Sequence, residues 1–156
     1  MKFARPNGGI VEFNKTAAEL IYRYRQLHKS DAEAGGMLLG RLISESSDLV
    51  IDEVTEPTKF DLKGSFYFIR RRRGAQQRVN KAWLESNGTL NYLGEWHSHP
   101  EDDPTPSQVD IENWHRIGSQ ARFEQDSLLF AIVGRLRTKL WELGKLSGEL
   151  SELETK

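Results

Sequence analysis

A chain of 156 residues has room for one compact domain with a sizeable core. Its 37% hydrophobic and 29% charged residues are those of an ordinary globular protein, and a formal net charge of -1 exerts no overall pull on nucleic acid or acidic membranes. The absence of cysteine excludes disulfides, thiol nucleophiles and Cys-ligated metal, so a metal site must draw on Asp, Glu and the four histidines.

Met1 to Pro6 is basic with no apolar run behind it, and no stretch approaches the roughly 18 apolar residues of a spanning helix. No membrane association is expected, and a cytoplasmic setting is the default. Gly8 to Phe13 alternates as a short strand. Asn14 suits the N-cap of a helix running to about His28, with Ala18, Ile21, Tyr22 and Arg25 near helical spacing. Ser30-Asp31-Ala32-Glu33 breaks that helix, and Gly35 to Gly40 reads as a buried strand entered through glycines. Leu49 to Val54 is the next strand after a turn at Ser46-Ser47-Asp48. Pro57 opens an irregular stretch to Ser65, followed by an aromatic strand over Phe66 to Ile69.

A second helix is predicted over Arg72 to Glu85, stopped by Asn87-Gly88. Asn91 to Trp96 is a strand that runs into His97-Ser98-His99-Pro100, and Glu101 to Pro106 is an acidic, Pro-rich loop. Ser107 caps a third helix from Gln108 to about Ala121. Ser127 to Val133 is a strong strand with which Lys139 to Leu146 can pair, and the polar tail 148–156 is expected to fray. Strands alternating with helices over 1–156, without repeat or linker, predict a single α/β domain with a mixed sheet.

The chemistry gathers after the strand at Asn91. Residues i and i+2 of an extended chain point to the same face, so His97 and His99 can share one ion. A catalytic zinc site takes three N/O ligands and leaves a fourth position for water. Asp110, in the first turn of the helix capped by Ser107, is placed to be the third ligand, where the helix dipole also favours a carboxylate. Zinc held by two imidazoles and one carboxylate keeps net positive charge, which lowers the pKa of bound water toward roughly 7. The Ser107 hydroxyl is expected to face the metal cavity while it caps. Two carboxylates compete for the role of proton acceptor. Glu33 precedes the glycines that permit close backbone approach, and Glu95 shares the ligand face if the strand stays regular through Trp96.

His97-Ser98-His99-Pro100, followed by Ser107-Gln108-Val109-Asp110, resembles the JAMM motif of the JAB/MPN metalloprotease family, written H-[ST]-H-P and then S-x-x-D. The segment Glu33-Ala34-Gly35-Gly36-Met37-Leu38-Leu39-Gly40 is similar to the family's E-x-G-G-x-L-x-G, and the element order from about Gly8 to Leu146 agrees. The resemblance implies a cytidine-deaminase-like domain with a mixed curved sheet flanked by helices. It implies zinc on His97, His99 and Asp110, Glu33 as general acid/base, and Ser107 as the hydroxyl that helps hold a tetrahedral oxyanion. It also implies hydrolysis of a peptide or isopeptide bond after the tail of a ubiquitin-like or conjugated protein. The compact chain is more similar to standalone prokaryotic JAB proteins, some of which accompany E1/E2-like conjugation enzymes in antiphage (CBASS-type) operons. The family's non-catalytic scaffold members, which bind partners through the same fold, are the alternative.

Simpler readings stand beside these. Ser107 serves as an N-cap in either case, and Ser98 is expected to orient its loop through a backbone contact. Glu95 reads as structural, and His28 and His115 as surface or packing residues. Trp96, beside the ligands, is a candidate wall for a Gly-Gly tail. Arg70 to Arg73 reads as a solvated face or as a contact for an acidic protein partner, with no nucleic-acid binding expected.

Overall fold

The computed structural model describes residues 1–28, 30–58, 61–64, 67–69 and 72–156. Its strands are β1 (Lys2–Ala4), β2 (Ile10–Phe13), β3 (Gly35–Leu42), β4 (Leu49–Val54), β5 (Leu62–Gly64), β6 (Tyr67–Ile69), β7 (Asn91–Ser98), β8 (Ser127–Val133), β9 (Thr138–Gly144), β10 (Leu150–Glu152) and β11 (Glu154–Thr155). Three helices intervene: α1 (Lys15–Tyr22), α2 (Arg72–Glu85) and α3 (Gln108–Gln120). Nine strands form one sheet in the order β10-β9-β8-β7-β3-β4-β2-β1-β11, while β5 and β6 form a separate hairpin. The sheet is mixed, as the α/β reading requires: β2 runs parallel to β4 and β7 parallel to β8, and the other pairs are antiparallel.

The alternation of β8 shows why both faces are covered. Leu129, Ala131 and Val133 join the core beneath α1, with Ala17, Ala18 and Ile21 from the helix. Leu128, Phe130 and Ile132 turn the other way and pack with Trp114 of α3. On that second face Met37 and Leu39 of β3 pack with Ala75 of α2. All seven residues of β8 are buried, as expected of a central strand that is sandwiched by helices.

Several boundaries differ from expectation. The first helix ends at Tyr22, with its Asn14 cap in place through Ala17 N–H, and does not reach His28. Beyond Tyr22 the backbone tightens into i to i+3 bonds, Arg23 to Leu20, Tyr24 to Ile21 and Arg25 to Tyr22, which end the α-helical ladder. Met1 to Pro6 contributes β1, and the stretch after Pro57 contributes β5. The polar tail 148–156 is not frayed: it carries β10 and β11, and Leu153 between them is 4% exposed in the core. Its polar residues face outward while the backbone satisfies two sheet edges. Arg70 and Arg71 lie outside the described residues, as do the side chains of Arg72 and Arg73. Among the described residues no helix is long and apolar enough to cross a membrane.

Candidate metal centre

The site lies where β7 leaves the sheet. A bulge between β3 and β7, in which Leu38 pairs with Gly94 but Leu39 with Tyr92, takes up the irregularity before Glu95. From Glu95 to Ser98 the strand is regular and parallel to β8. Trp96 and Ser98 therefore turn to one side, and His97 turns to the other, with its ring centroid 6.1 Å from that of Trp114. The His99 amide donates to the Val133 carbonyl at 3.0 Å, which extends the guidance of β8 by one residue past the strand.

His97 and His99 bring their Nε2 atoms to 3.0 Å of one another. Asp110 meets both, with Oδ1 3.3 Å from His97 Nε2 and Oδ2 3.4 Å from His99 Nε2. The carboxylate is aimed by a reciprocal cap at the start of α3. Ser107 N–H and Oγ–H donate to Asp110 Oδ2 at 2.7 and 2.6 Å, and the Asp110 amide donates back to Ser107 Oγ at 3.2 Å. The Ser107 hydroxyl thus engages the ligand carboxylate itself.

Glu33 enters from the segment before β3. Its carboxylate lies with the two histidines in a group whose ligand atoms are all within 4.8 Å of one another. Ser98, buried between the histidines, holds this segment: Ala34 N–H donates to Ser98 Oγ at 3.0 Å, and Ser98 N–H donates to the Ala34 carbonyl at 2.8 Å. The expected orienting role of Ser98 is thereby given atoms. Gly36 pairs with Trp96 in the neighbouring strand, and a Cβ there would stand 2.0 Å from the Thr55 carbonyl oxygen and 2.7 Å from Trp96 Nε1. The glycine therefore serves a close approach to Thr55 and Trp96.

The charge states differ sharply across a few ångströms. Burial pushes the Glu33 carboxyl up to about 7, with Asp110 adding to the rise and His99 opposing it. Burial drives His97 down to about 4. For His99 burial is outweighed by the hydrogen bond and charge of Asp110, which hold it above its ordinary value. Asp110 in turn falls well below the usual carboxylate range, because the histidines and Ser107 outweigh its burial.

The donor set fits a small tetrahedral cation. Bonds of about 2.0–2.1 Å imply ligand-to-ligand edges of about 3.3–3.4 Å; the 3.3 Å from Asp110 Oδ1 to His97 Nε2 falls there, and the two imidazole nitrogens, at 3.0 Å, stand slightly closer. Two imidazoles and a carboxylate crowded around one point, with a second carboxylate alongside, are held together more naturally by a shared cation than by hydrogen bonds alone.

Other candidates separate from this centre. Glu95 Oε1 accepts from Tyr92 Oη at 3.2 Å, and neither it nor Asp110 belongs to the group of Glu33, His97 and His99, but Asp110 reaches both imidazoles. His28 and His115 are exposed, as expected. Trp96 does not wall a channel: its ring is 1% exposed, donates from Nε1 to the Thr55 carbonyl at 3.0 Å and packs against Tyr24. A large indole next to a ligand in sequence points to the opposite face of the strand, and so into the core. The residue that sequence reasoning missed is Gln26. The helical spacing places it in the first helix, whereas it lies beyond α1, is 1% exposed, and accepts through Oε1 from Ser98 Oγ at 3.1 Å.

Residues 16–144 match the family model described as prokaryotic homologs of the JAB domain. Three similar proteins are each named CD-NTase/cGAS isopeptidase. The one from Vibrio cholerae is 41% identical over 83% of this chain and 78% of its own length. Those from Escherichia coli and Pseudomonas aeruginosa are 37% and 36% identical, over 89% and 85% of this chain and 86% and 82% of their own. The fold is shared with the solution structure of a Desulfitobacterium hafniense protein, at a TM-score of 0.62 and 22% identity, over 91% of this chain and 88% of that one. With its sheet, its metal-capable centre and this match in agreement, the chain belongs to the prokaryotic JAB-domain family.

Proposed function

We propose that this chain is a zinc-dependent isopeptidase, hydrolysing the amide bond that follows the C-terminal tail of a ubiquitin-like or otherwise conjugated protein. The observation that carries it is the convergence of Glu33 with the His97–His99 pair, beside an Asp110 that reaches both imidazoles. The relatives named CD-NTase/cGAS isopeptidase support deconjugation as the reaction and a CD-NTase as the conjugated partner. An E1/E2-like conjugation system in the cytoplasm, in an antiviral setting, is the proposed source of that substrate.

His97, His99 and Asp110 are the assigned zinc ligands. Zinc bound there supplies Lewis acidity, which acidifies water and polarises a carbonyl. Glu33, raised toward neutrality by burial, is suited to take a proton from the attacking water and to return it to the leaving amine as the C–N bond breaks. Ser107, at the exposed end of α3, is assigned the hydroxyl that meets the developing oxyanion, for which its single proton turns from Asp110 Oδ2, its partner in the structure. Asp110, kept anionic, holds charge at the ligand position and takes no part in proton transfer.

The test uses the purified chain and a ubiquitin-like protein joined through its C-terminus to a lysine side chain. Cleavage is expected to stop with a chelator and to return with zinc. Glu33→Ala is expected to keep zinc and to lose about 10²–10⁴-fold in rate, whereas His97→Ala and Asp110→Ala lose the metal as well. Cleavage that survives chelation overturns the zinc reading, and cleavage undiminished in Glu33→Ala overturns the assigned base. A chain that binds zinc and conjugate but cleaves none is a scaffold.

A further inference from the structure

We infer that Gln26 is a positioning residue for Glu33, acting through the Ser98 hydroxyl; the inference rests on the assignment of Glu33 as the base.

Among the described residues between α1 and β3, Glu33 has no regular secondary structure around it. Such a segment keeps a buried carboxylate in place only if its own backbone is fastened. Besides the backbone bond from Ser98 N–H to the Ala34 carbonyl, two side-chain fastenings bracket Glu33, and one side chain reaches both. Gln26 Nε2 donates to the Asp31 carbonyl at 2.9 Å on the near side. On the far side Ala34 N–H donates to Ser98 Oγ, and that hydroxyl spends its single proton on Gln26 Oε1 at 3.1 Å. The amide thus clamps position 31 directly and position 34 through one serine.

The arrangement depends on an asymmetry in β7. His97 and His99 face the centre, and Ser98 points away from it, toward Gln26. The strand that supplies both imidazoles also anchors, through the residue between them, the loop that carries the carboxylate. Ser98 is 0% and Gln26 1% exposed, so neither side chain exchanges these bonds for water. A buried polar side chain is costly unless satisfied. An apolar residue would fill the site between the end of α1 and β7 at less cost, and it would fasten nothing.

The lock does not touch the metal ligands' other supports. Asp110 hangs on Ser107, and His99 is guided by Val133. Loss of Gln26 therefore loosens Glu33 and leaves the zinc site standing. An ångström of misplacement at a reacting group is enough to cost about 100-fold in rate.

The experiment compares Gln26→Met, Ser98→Ala and the double variant in the full chain. Each is measured for zinc affinity by chelator competition, for kcat and KM on the isopeptide-linked conjugate, and for amide hydrogen exchange. Gln26→Met is expected to lower kcat about 10–100-fold, with KM and zinc affinity within about threefold. Exchange at the Ala34 amide is expected to rise while β8 stays protected. The double variant should be no slower than the slower single variant, since both break one chain of bonds. Unchanged Ala34 exchange in Gln26→Met, or fully additive losses, overturns the inference. A variant too unstable to assay at one temperature is read by exchange at a lower one, where β8 again serves as the reference. If Glu33→Gln cleaves at the wild-type rate the base assignment falls, and that result is distinct from any change in Ala34 protection.

Discussion

Glu33 is 5% exposed, beside two imidazoles and a second carboxylate, and burial pushes its carboxyl up to about 7. An acid whose folded pKa lies above its unfolded value binds its proton more tightly when folded. Its contribution is neutral below pH 4.5, and stability is lost as the pH rises from 4.5 to about 7. Glu33→Gln keeps the shape and removes the titration. The variant's stability relative to the parent is therefore expected to grow with pH, by up to about 3 kcal/mol between pH 4 and pH 8. Urea unfolding of chelator-treated protein over that range measures it, and a constant difference refutes the burial penalty. His97, His99 and Asp110 were legible because the strand and helix periods bring them to one side, whereas Glu33 was set apart from Glu95, and Ser107 given a role beyond its cap, only by the resemblance to the JAB/MPN family. Gln26 was not legible, because its meaning depends on a loop that brings it back against β7, and nothing local in sequence marks that return.

At the scale of elements, α3 shows how a helix cap can serve the proposed metal centre. Ser107 and Asp110 satisfy each other's backbone amides, and the same carboxylate faces both histidines. Ser107→Ala is expected to cost about 0.5–2 kcal/mol of stability as a lost cap. Because it also frees Asp110 to turn away, zinc affinity is expected to fall about 10–100-fold. Thermal unfolding without metal reads the first effect, and chelator competition reads the second. A normal zinc affinity would show that His97 and His99 hold Asp110 without help. The helix was legible from the serine and the acid three residues later, as were β3, β4, β7 and β8 from their apolar patterns. The overshoot of α1 has the opposite cause: Arg25 continues a helical spacing, but the backbone had already tightened at Arg23. Short strands such as β1, β10 and β11 carry too few residues to show a period. They become strands because an edge is available to pair with.

At the scale of the whole molecule those short strands decide how the sheet ends. β10 lies at one edge and β11 at the other, yet only Leu153 separates them in sequence. One terminal segment therefore joins the two margins: Leu153 N–H donates to the Leu140 carbonyl at 2.8 Å, and Lys156 N–H to the Lys2 carbonyl at 3.0 Å. Leu153 fills the seam from inside, in the same core as Phe3 and Leu140. Near it a buried ion pair crosses between the margins, where Arg5 Nη2 meets Glu142 Oε1 at 2.5 Å and Ser127 Oγ at 3.2 Å. Leu153→Ala leaves a cavity in the seam between the two margins. A loss of about 2–5 kcal/mol is expected, measurable by urea unfolding. The proposed metal ligands sit on β7, its continuation and α3, away from the seam, so zinc affinity below the melting range should stay within a few-fold of the parent. Loss of both together would mean that the closure also sets the curvature on which His97 and His99 converge. Loss of neither would mean that the pairings of β10 and β11 hold the seam without their central leucine.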